Sequence, residues 1–238
     1  MCEWVPNAET VAVVGDFNEW NETSHVCTRD DFGKFRLTIP ALSEGKSPIP
    51  HNSVVKLLIT TKDGQKLWRM SPWTKYAVQI EEVSMDYQPR HWNPEDGGYK
   101  WRYERPGKPK SFRIYEGHVG ISSSEAKVAS YTYFADNLLP RIKDLGYNCV
   151  ELMAVMEHAY YGSFGYHVTS FFAASSRYGT PDEFKYLVDK AHSLGLFVIL
   201  DIVHSHAARN VNDGLNQFDG TDHCYFHGGA KVIIGSFV

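Results

Sequence analysis

The sequence predicts two fold classes in one chain, an all-β sandwich followed by a parallel β/α domain. Three observations carry that reading. Short apolar strands between turn signals fill the first third, strand and helix patterns alternate from Phe112 onward, and residues 197–206 read Phe-Val-Ile-Leu-Asp-Ile-Val-His-Ser-His. The last is the pattern of a strand buried on both faces except at Asp201. A buried carboxylate is costly unless it is paired or hydrogen-bonded, so Asp201 marks a candidate site.

The sandwich is expected over residues 1–85, with strands at 11–14, 34–39, 54–60 and 76–80. Turn signals separate them at Gly15-Asp16, Asp31-Phe32-Gly33 and Lys62-Asp63-Gly64. Residues 86–111 are rich in Pro, Gly, Trp and charge and read as a linker. From 112 to 238 the grammar is β/α. Phe112-Arg-Ile-Tyr115 opens a strand, and Ser122-x-x-Glu125 is a capping box ahead of Val128, Tyr131, Phe134, Ala135 and Leu138 at helical spacing. A second strand covers 149–155. Thr180-Pro181-Asp182-Glu183 starts the next helix, Phe184, Leu187, Val188, Ala191 and Leu194 form its apolar stripe, and Gly195 stops it. The third strand covers 197–203. Such a βαβαβ run makes a parallel sheet with right-handed crossovers.

No Gly-x-Gly-x-x-Gly follows any of these strands, so a dinucleotide-binding fold has no support. Functional-looking residues gather at the carboxyl ends of the second and third strands, where barrel enzymes keep their sites. A whole barrel takes roughly 200 or more residues, so this stretch is read as an incomplete (β/α)8 barrel holding the first three units.

Composition excludes several classes. A formal net charge of −4 gives no electrostatic reason to expect nucleic acid or an anionic membrane. The 43% hydrophobic and 22% charged content is that of a soluble globular protein, and no apolar run approaches the ~20 residues of a membrane span. Cys2, Cys27, Cys149 and Cys224 form no Cys-x-x-Cys pair, which suggests neither a disulfide framework nor a zinc site. Asn21-Glu22-Thr23 matches a glycosylation sequon, but without a signal peptide a reducing, cytoplasmic setting is expected and the sequon is expected to be unused.

Six segments, in order, resemble the glycogen branching enzymes of glycoside hydrolase family 13. They are Gly15-Asp-Phe-Asn-Glu-Trp20, Ser71-Pro-Trp-Thr-Lys-Tyr76, Arg113-Ile-Tyr-Glu-Gly-His-Val-Gly-Ile121, Met156-Glu-His-Ala-Tyr-Tyr-Gly-Ser-Phe-Gly-Tyr166, Ser170-Phe-Phe-Ala-Ala-Ser-Ser-Arg-Tyr-Gly179 and Asp201-Ile-Val-His-Ser-His-Ala207. The resemblance runs from Trp4 to about Gly229. It implies an immunoglobulin-like, family 48 carbohydrate-binding module followed by a TIM barrel. It also implies a reaction that cleaves an α-1,4-glucan and transfers the freed segment to a 6-hydroxyl. After Gly229 the sequence departs from the family toward Val238, and the strands that carry the family's nucleophile and general acid/base have no matching position. A C-terminally truncated copy, inactive by itself, is therefore expected, with a non-catalytic glucan-binding protein as the alternative.

By the same resemblance, Asp201 is a supporting carboxylate holding a nearby Arg, His206 hydrogen-bonds a sugar hydroxymethyl group, Tyr166 stacks on that sugar, and His118 supports the pocket floor. In the sandwich, Trp4-Val5-Pro6, Trp20 and the hairpin tip Asp31-Phe32-Gly33-Lys34 are the glucan-binding candidates. A Trp offers a stacking face, while Asp and Lys offer an acceptor and donors for vicinal hydroxyls. His204, His206, His223, Cys224 and His227 lack the carboxylate or paired-cysteine frame of a metal site, so no metal or other cofactor is expected. The expected partner is an α-1,4-glucan such as glycogen, bound by a monomer. The apolar tail 232–238 is expected to be exposed and prone to aggregate.

Overall fold

The computed structural model describes residues 1–80 and 84–226. The tail 232–238 and His227 lie outside the described residues. No described helix is long and apolar enough to cross a membrane.

The first third is a layered set of antiparallel strands. β1 (Cys2–Trp4), β4 (Lys34–Arg36) and β3 (Thr28–Arg29) form one sheet in the order β1-β4-β3, and β2 (Ala8–Gly15), β5 (Val55–Thr61) and β6 (Lys66–Arg69) form another in the order β2-β5-β6. The run Val11-Ala-Val-Val14 is apolar at every position because both faces of β2 are covered. Val11 and Val13 join Phe35, Leu57 and Ile59 in the main core, while Ala12 and Val14 pack with Leu58 on the reverse side. The hairpin tip is held by Asp30, whose Oδ1 accepts from the backbone N–H of Phe32 and Lys34, both at 3.0 Å. Gly33 there has φ +73°, and a Cβ would meet Pro6 Cα at 2.8 Å, so this turn needs glycine.

The expected linker is not slack. β8 (Ser84–Pro89) pairs with β7 (Ala77–Ile80), and the residues beyond it strap onto the later helix α3 (Pro181–Ser193). Trp92 Nε1 donates to Asp182 at 3.3 Å, and Asp189, 1% exposed, accepts from the Tyr99 hydroxyl at 2.6 Å and from the N–H groups of Arg102 and Tyr103. A carboxylate buried on a helix needs such donors, and this segment supplies them.

The second part is a parallel sheet in the order β13-β10-β9, made of β9 (Ile114–Gly117), β10 (Cys149–Leu152) and β13 (Phe197–Leu200), with a two-stranded antiparallel pair, β11 (Met156–Glu157) and β12 (Ser170–Ala174), between β10 and β13 in the chain. One face carries Tyr115, Val150, Leu152 and Val198 against Phe134, Leu139, Ile142, Leu187 and Ala191. α3 starts as expected: the Thr180 hydroxyl accepts from Glu183 N–H, the Glu183 carboxylate accepts from Thr180 N–H, and Pro181 leads the first turn. The earlier helix does not. It begins at Tyr131, with Ser130 as N-cap accepting from Tyr133 N–H at 3.0 Å, whereas the Ser122 hydroxyl donates to the Val119 carbonyl. Ala129 N–H is tied back to the Gly120 carbonyl, a bond that a helix begun at Ser122 could not make. A π-helical turn, Phe134–Leu138, separates the single turn α1 (Tyr131–Tyr133) from α2 (Leu139–Asp144). This wider turn comes just before Pro140, which lacks an N–H and would crowd the carbonyl four residues earlier in a regular helix.

The third strand is the edge of the described sheet, as three units of a barrel imply, but it is not buried on both faces. Leu200, the register partner of Leu152 and so on the helix-facing side, is 39% exposed and Ile202 is 55% exposed, because β10 is the strand's one described neighbour in the sheet and no further described helix covers its open edge. After it the chain returns to the sandwich. Phe218 is fully buried among Val5, Val11, Phe35 and Ile59, Asn7 donates two hydrogen bonds to Asp219 from its backbone N–H and its side-chain amide, and Arg69 donates to the Gln217 carbonyl at 3.0 Å. Asp213, 1% exposed, accepts from Tyr87 N–H.

Candidate functional site

The carboxyl ends of the three parallel strands and the loop 153–169 after β10 build the site. The Tyr166 hydroxyl donates to Asp201 Oδ2 at 2.7 Å. Burial, and then the bond to Asp201, push the Tyr166 phenol up to about 12. Glu116 and Glu151 are register partners on the sheet face away from the helices and add their charge to the Tyr166 environment. Asp201 follows Ile199, the register partner of Glu151, by two residues, and its N–H donates to the Leu152 carbonyl at 3.0 Å.

His206 is exposed, with Nδ1 2.8 Å from the Ser205 hydroxyl, and its carbonyl accepts from Val168 N–H. That bond, the Ala208 N–H to Val168 carbonyl bond and the bridge between Val168 and Ala207 bring the end of the Tyr166 loop beside the segment after β13. His118 sits beneath: it is 5% exposed, with Nε2 3.1 Å from the Phe164 carbonyl oxygen. The structure thus joins Tyr166 to Asp201, keeps His206 on the rim, and buries His118 under the loop.

Glu157 follows closely in sequence but has another task. It is fully buried and accepts from Ser176 N–H at 2.7 Å and His158 N–H at 3.1 Å, so it holds two turns together and faces no open space. Burial raises it to about 7, and does the same for Glu3 under the sandwich. Both are raised above their ordinary value of 4.5, so the folded chain binds their protons more tightly than the unfolded chain. Their contribution is greatest below about 4.5 and is lost as pH rises through 7. His118 and His158, lowered by burial, act oppositely only below their ordinary 6.5. Melting temperature is therefore expected to fall between pH 6.5 and 8, by roughly 1 kcal/mol of stability per carboxyl. Glu3→Gln should melt higher than wild type at pH 8. Calorimetry showing a rise over that range, or no gain in the variant, would contradict this.

The sandwich candidates fall into two groups. Trp4, 42% exposed, pairs in register with Lys34 and meets the Tyr225 ring edge-on at 6.1 Å, and Phe32 on the adjoining tip is 78% exposed. Pro6 packs on Gly33. Val5 adds nothing to this surface, because its side chain is fully buried, its N–H donates to the Gly33 carbonyl and its carbonyl accepts from Ala8. Trp20 belongs elsewhere. Its ring lies 5.9 Å from Trp68 on β6, tilted by 46°, and its Nε1 donates to Asp16. Trp68 escaped the sequence reading, although its signal was there in the alternation of Lys66-Leu-Trp-Arg69.

A cleft of about 860 Å³ between the two parts is lined by Trp73, Trp92, Trp101, Phe172 and Phe184, but by none of Tyr166, Asp201, His206 or His118. Among the described residues no three His, Cys, Asp or Glu side chains gather as metal ligands. His204 instead lies parallel to the Phe171 ring at 5.7 Å.

Comparison with known proteins follows this division. Residues 1–74 match the model of carbohydrate-binding module 48 (isoamylase N-terminal domain), and residues 136–223 match the alpha amylase catalytic domain. The chain is 57% identical to a 1,4-alpha-glucan-branching enzyme of Felis catus over 96% of its own length, and 53% identical to that of Saccharomyces cerevisiae over 94%. It spans about a third of these relatives, 32% and 33%. Among solved structures, a putative alpha amylase from Salmonella typhimurium superposes with a TM-score of 0.67 at 22% identity, covering 87% of this chain and 32% of that one. A pullulanase in complex with maltotetraose gives 0.64 at 19% identity, over 87% of this chain and 32% of its own. These two show the shared fold.

Proposed function

We infer that this chain belongs with the 1,4-alpha-glucan-branching enzymes of glycoside hydrolase family 13, and we propose that it supplies glucan-binding parts of that machinery. The observation that carries the reading is the Tyr166–Asp201 pair beside His206, within a chain 57% identical to such an enzyme. Residues 1–85 serve as the carbohydrate-binding module, 86–111 as the connection and 112–238 as the opening of a (β/α)8 barrel. The barrel reading is supported by the open edge at β13. A right-handed crossover leaving that strand would lay its helix beside α3, over Leu200, Val188 and the aromatic cleft.

In this reading Tyr166 offers a flat face to a glucose ring at the cleavage subsite. Asp201 fixes that face through the phenol, and His206 donates to the sugar's hydroxymethyl oxygen. Cleaving an α-1,4 bond with retention and passing the segment to a 6-hydroxyl requires two carboxyl groups about 5–5.5 Å apart, a nucleophile and an acid/base. Asp201 is neither, since it accepts the Tyr166 proton donor, and Glu157 is closed in by backbone donors. The catalytic pair belongs to the fourth and fifth strands, which are not among the described residues. The setting is cytoplasmic, the chain monomeric and the ligand glycogen.

The test uses the 238-residue polypeptide itself. In native gels containing glycogen it should be retarded, and Trp20→Ala or Trp68→Ala should remove most of that retardation, since each loses one face of the aromatic pair. Incubated with amylose, it should leave the iodine-complex spectrum unchanged. Equal migration of wild type and both variants would sink the binding role, and robust branching would mean that the catalytic carboxyls lie among Glu116, Glu151 and Asp201.

A further inference from the structure

The loop 153–169 leaves the middle strand β10 and is gripped from both flanking strands. From β13, Asp201 accepts the Tyr166 hydroxyl at 2.7 Å. From the end of β9, His118 reaches the other side, with Nε2 3.1 Å from the carbonyl oxygen of Phe164, two residues before Tyr166. A carbonyl oxygen only accepts, so Nε2 carries the proton and donates. The backbone at this point needs holding. Ala154, Phe164 and Gly165 have φ of +33°, +55° and +96°, and a Cβ on Gly165 would stand 2.2 Å from the Ala154 carbonyl oxygen. Left-handed non-glycine residues persist only where the surroundings over-determine them. His118 is itself wedged between Phe164 and Tyr178, whose rings meet it edge-on at 5.8 and 5.7 Å.

We propose that His118 is a positioning residue, which sets the Tyr166 ring against a bound glucose unit by holding the Phe164–Gly165 backbone from beneath. At 5% exposure it acts through Tyr166 and touches no sugar. The role rests on the reading of Tyr166 as a glucan contact for its purpose, but not for its geometry.

Two measurements on the 238-residue chain, both without sugar, test it. In the wild type, long-range nitrogen–proton NMR should find His118 in the Nε2–H tautomer. An Nδ1–H tautomer overturns the proposal. Tyrosine ring-carbon NMR, with Tyr166→Phe for assignment, should show Tyr166 titrating at about 12 in the wild type. His118→Met, which keeps the bulk and removes the donor, should bring it down toward the ordinary 10 as the loop releases Asp201. His118→Gln, whose amide can still donate to Phe164, should restore it. An unchanged Tyr166 in His118→Met, or an equal fall in both variants, overturns the proposal. If His118→Met does not fold, the wild-type tautomer decides alone. Loss of glycogen binding would strike only the glucan reading, so the two failures are distinguishable.

Discussion

Phe218→Ala should destabilise the sandwich by about 3–5 kcal/mol, the range for truncating a buried aromatic side chain. Phe218 is fully buried in a core otherwise made by Val5, Ala8, Val11, Val13, Cys27, Phe35, Leu57 and Ile59. It enters from the segment after β13 and is pinned on either side, by Arg69 on the Gln217 carbonyl and by Asn7 on Asp219. Losing the ring leaves a cavity that these clamps keep open, so the surroundings collapse only partly. By the same reasoning a peptide of residues 1–90 should not fold as a self-contained module, since it would lack one of its largest core side chains. Amide exchange measures the effect locally. Protection of Val13 and Leu57 in β2 and β5 should drop in Phe218→Ala, while Val150 in β10 should keep its protection. Unchanged protection in β2 and β5, or a cooperative transition of wild-type strength in the 1–90 peptide, would contradict the account.

Asp201→Ala should cut the activity of a hybrid enzyme by about 10–150-fold in kcat/KM. The hybrid is the Felis catus branching enzyme with its matching segment replaced by residues 4–226 of this chain. The magnitude follows from removing a hydrogen bond to a charged acceptor, worth roughly 1.5–3 kcal/mol, at 1.36 kcal/mol per tenfold. Without the carboxylate, the Tyr166 phenol loses its 2.7 Å partner and its ring is free to swing from the sugar. Tyr166→Phe loses the same bond but keeps the stacking face, and should cost less. A loss of under threefold for Asp201→Ala, or a larger loss for Tyr166→Phe, would show that the pair does not orient the ring.

Local signals in the sequence held where nothing distant competed with them. Thr180, Pro181 and Glu183 announce the start of α3 because all the groups that satisfy its first turn lie within four residues. The continuous apolar runs of β2 and β5 were legible for the same reason. Ser122 carried an equally good local signal and failed, because the long-range tie between Gly120 and Ala129 took its place. β1, β3 and β8 are short or polar strands whose pairing partners, not their own residues, define them. In the site, Asp201 stood out as a carboxylate in an apolar run, and the edge position of its strand followed from reading three barrel units. The exposure of Leu200 and Ile202 did not, since it depends on what packs over that edge. Phe218 was the least legible residue of all. It sits in a polar stretch, and its clamp joins Asn7 to Asp219, 212 residues apart.

The central claim is that these residues form a working glucan subsite of a branching enzyme, and the unmodified hybrid tests it most directly. Its rate of change in the iodine–amylose absorbance should lie within about tenfold of the parent Felis catus enzyme, because the Tyr166–Asp201 pair and the His206 rim arrive intact with the transplanted segment. A hybrid that folds and binds glycogen but produces no branches would contradict the account.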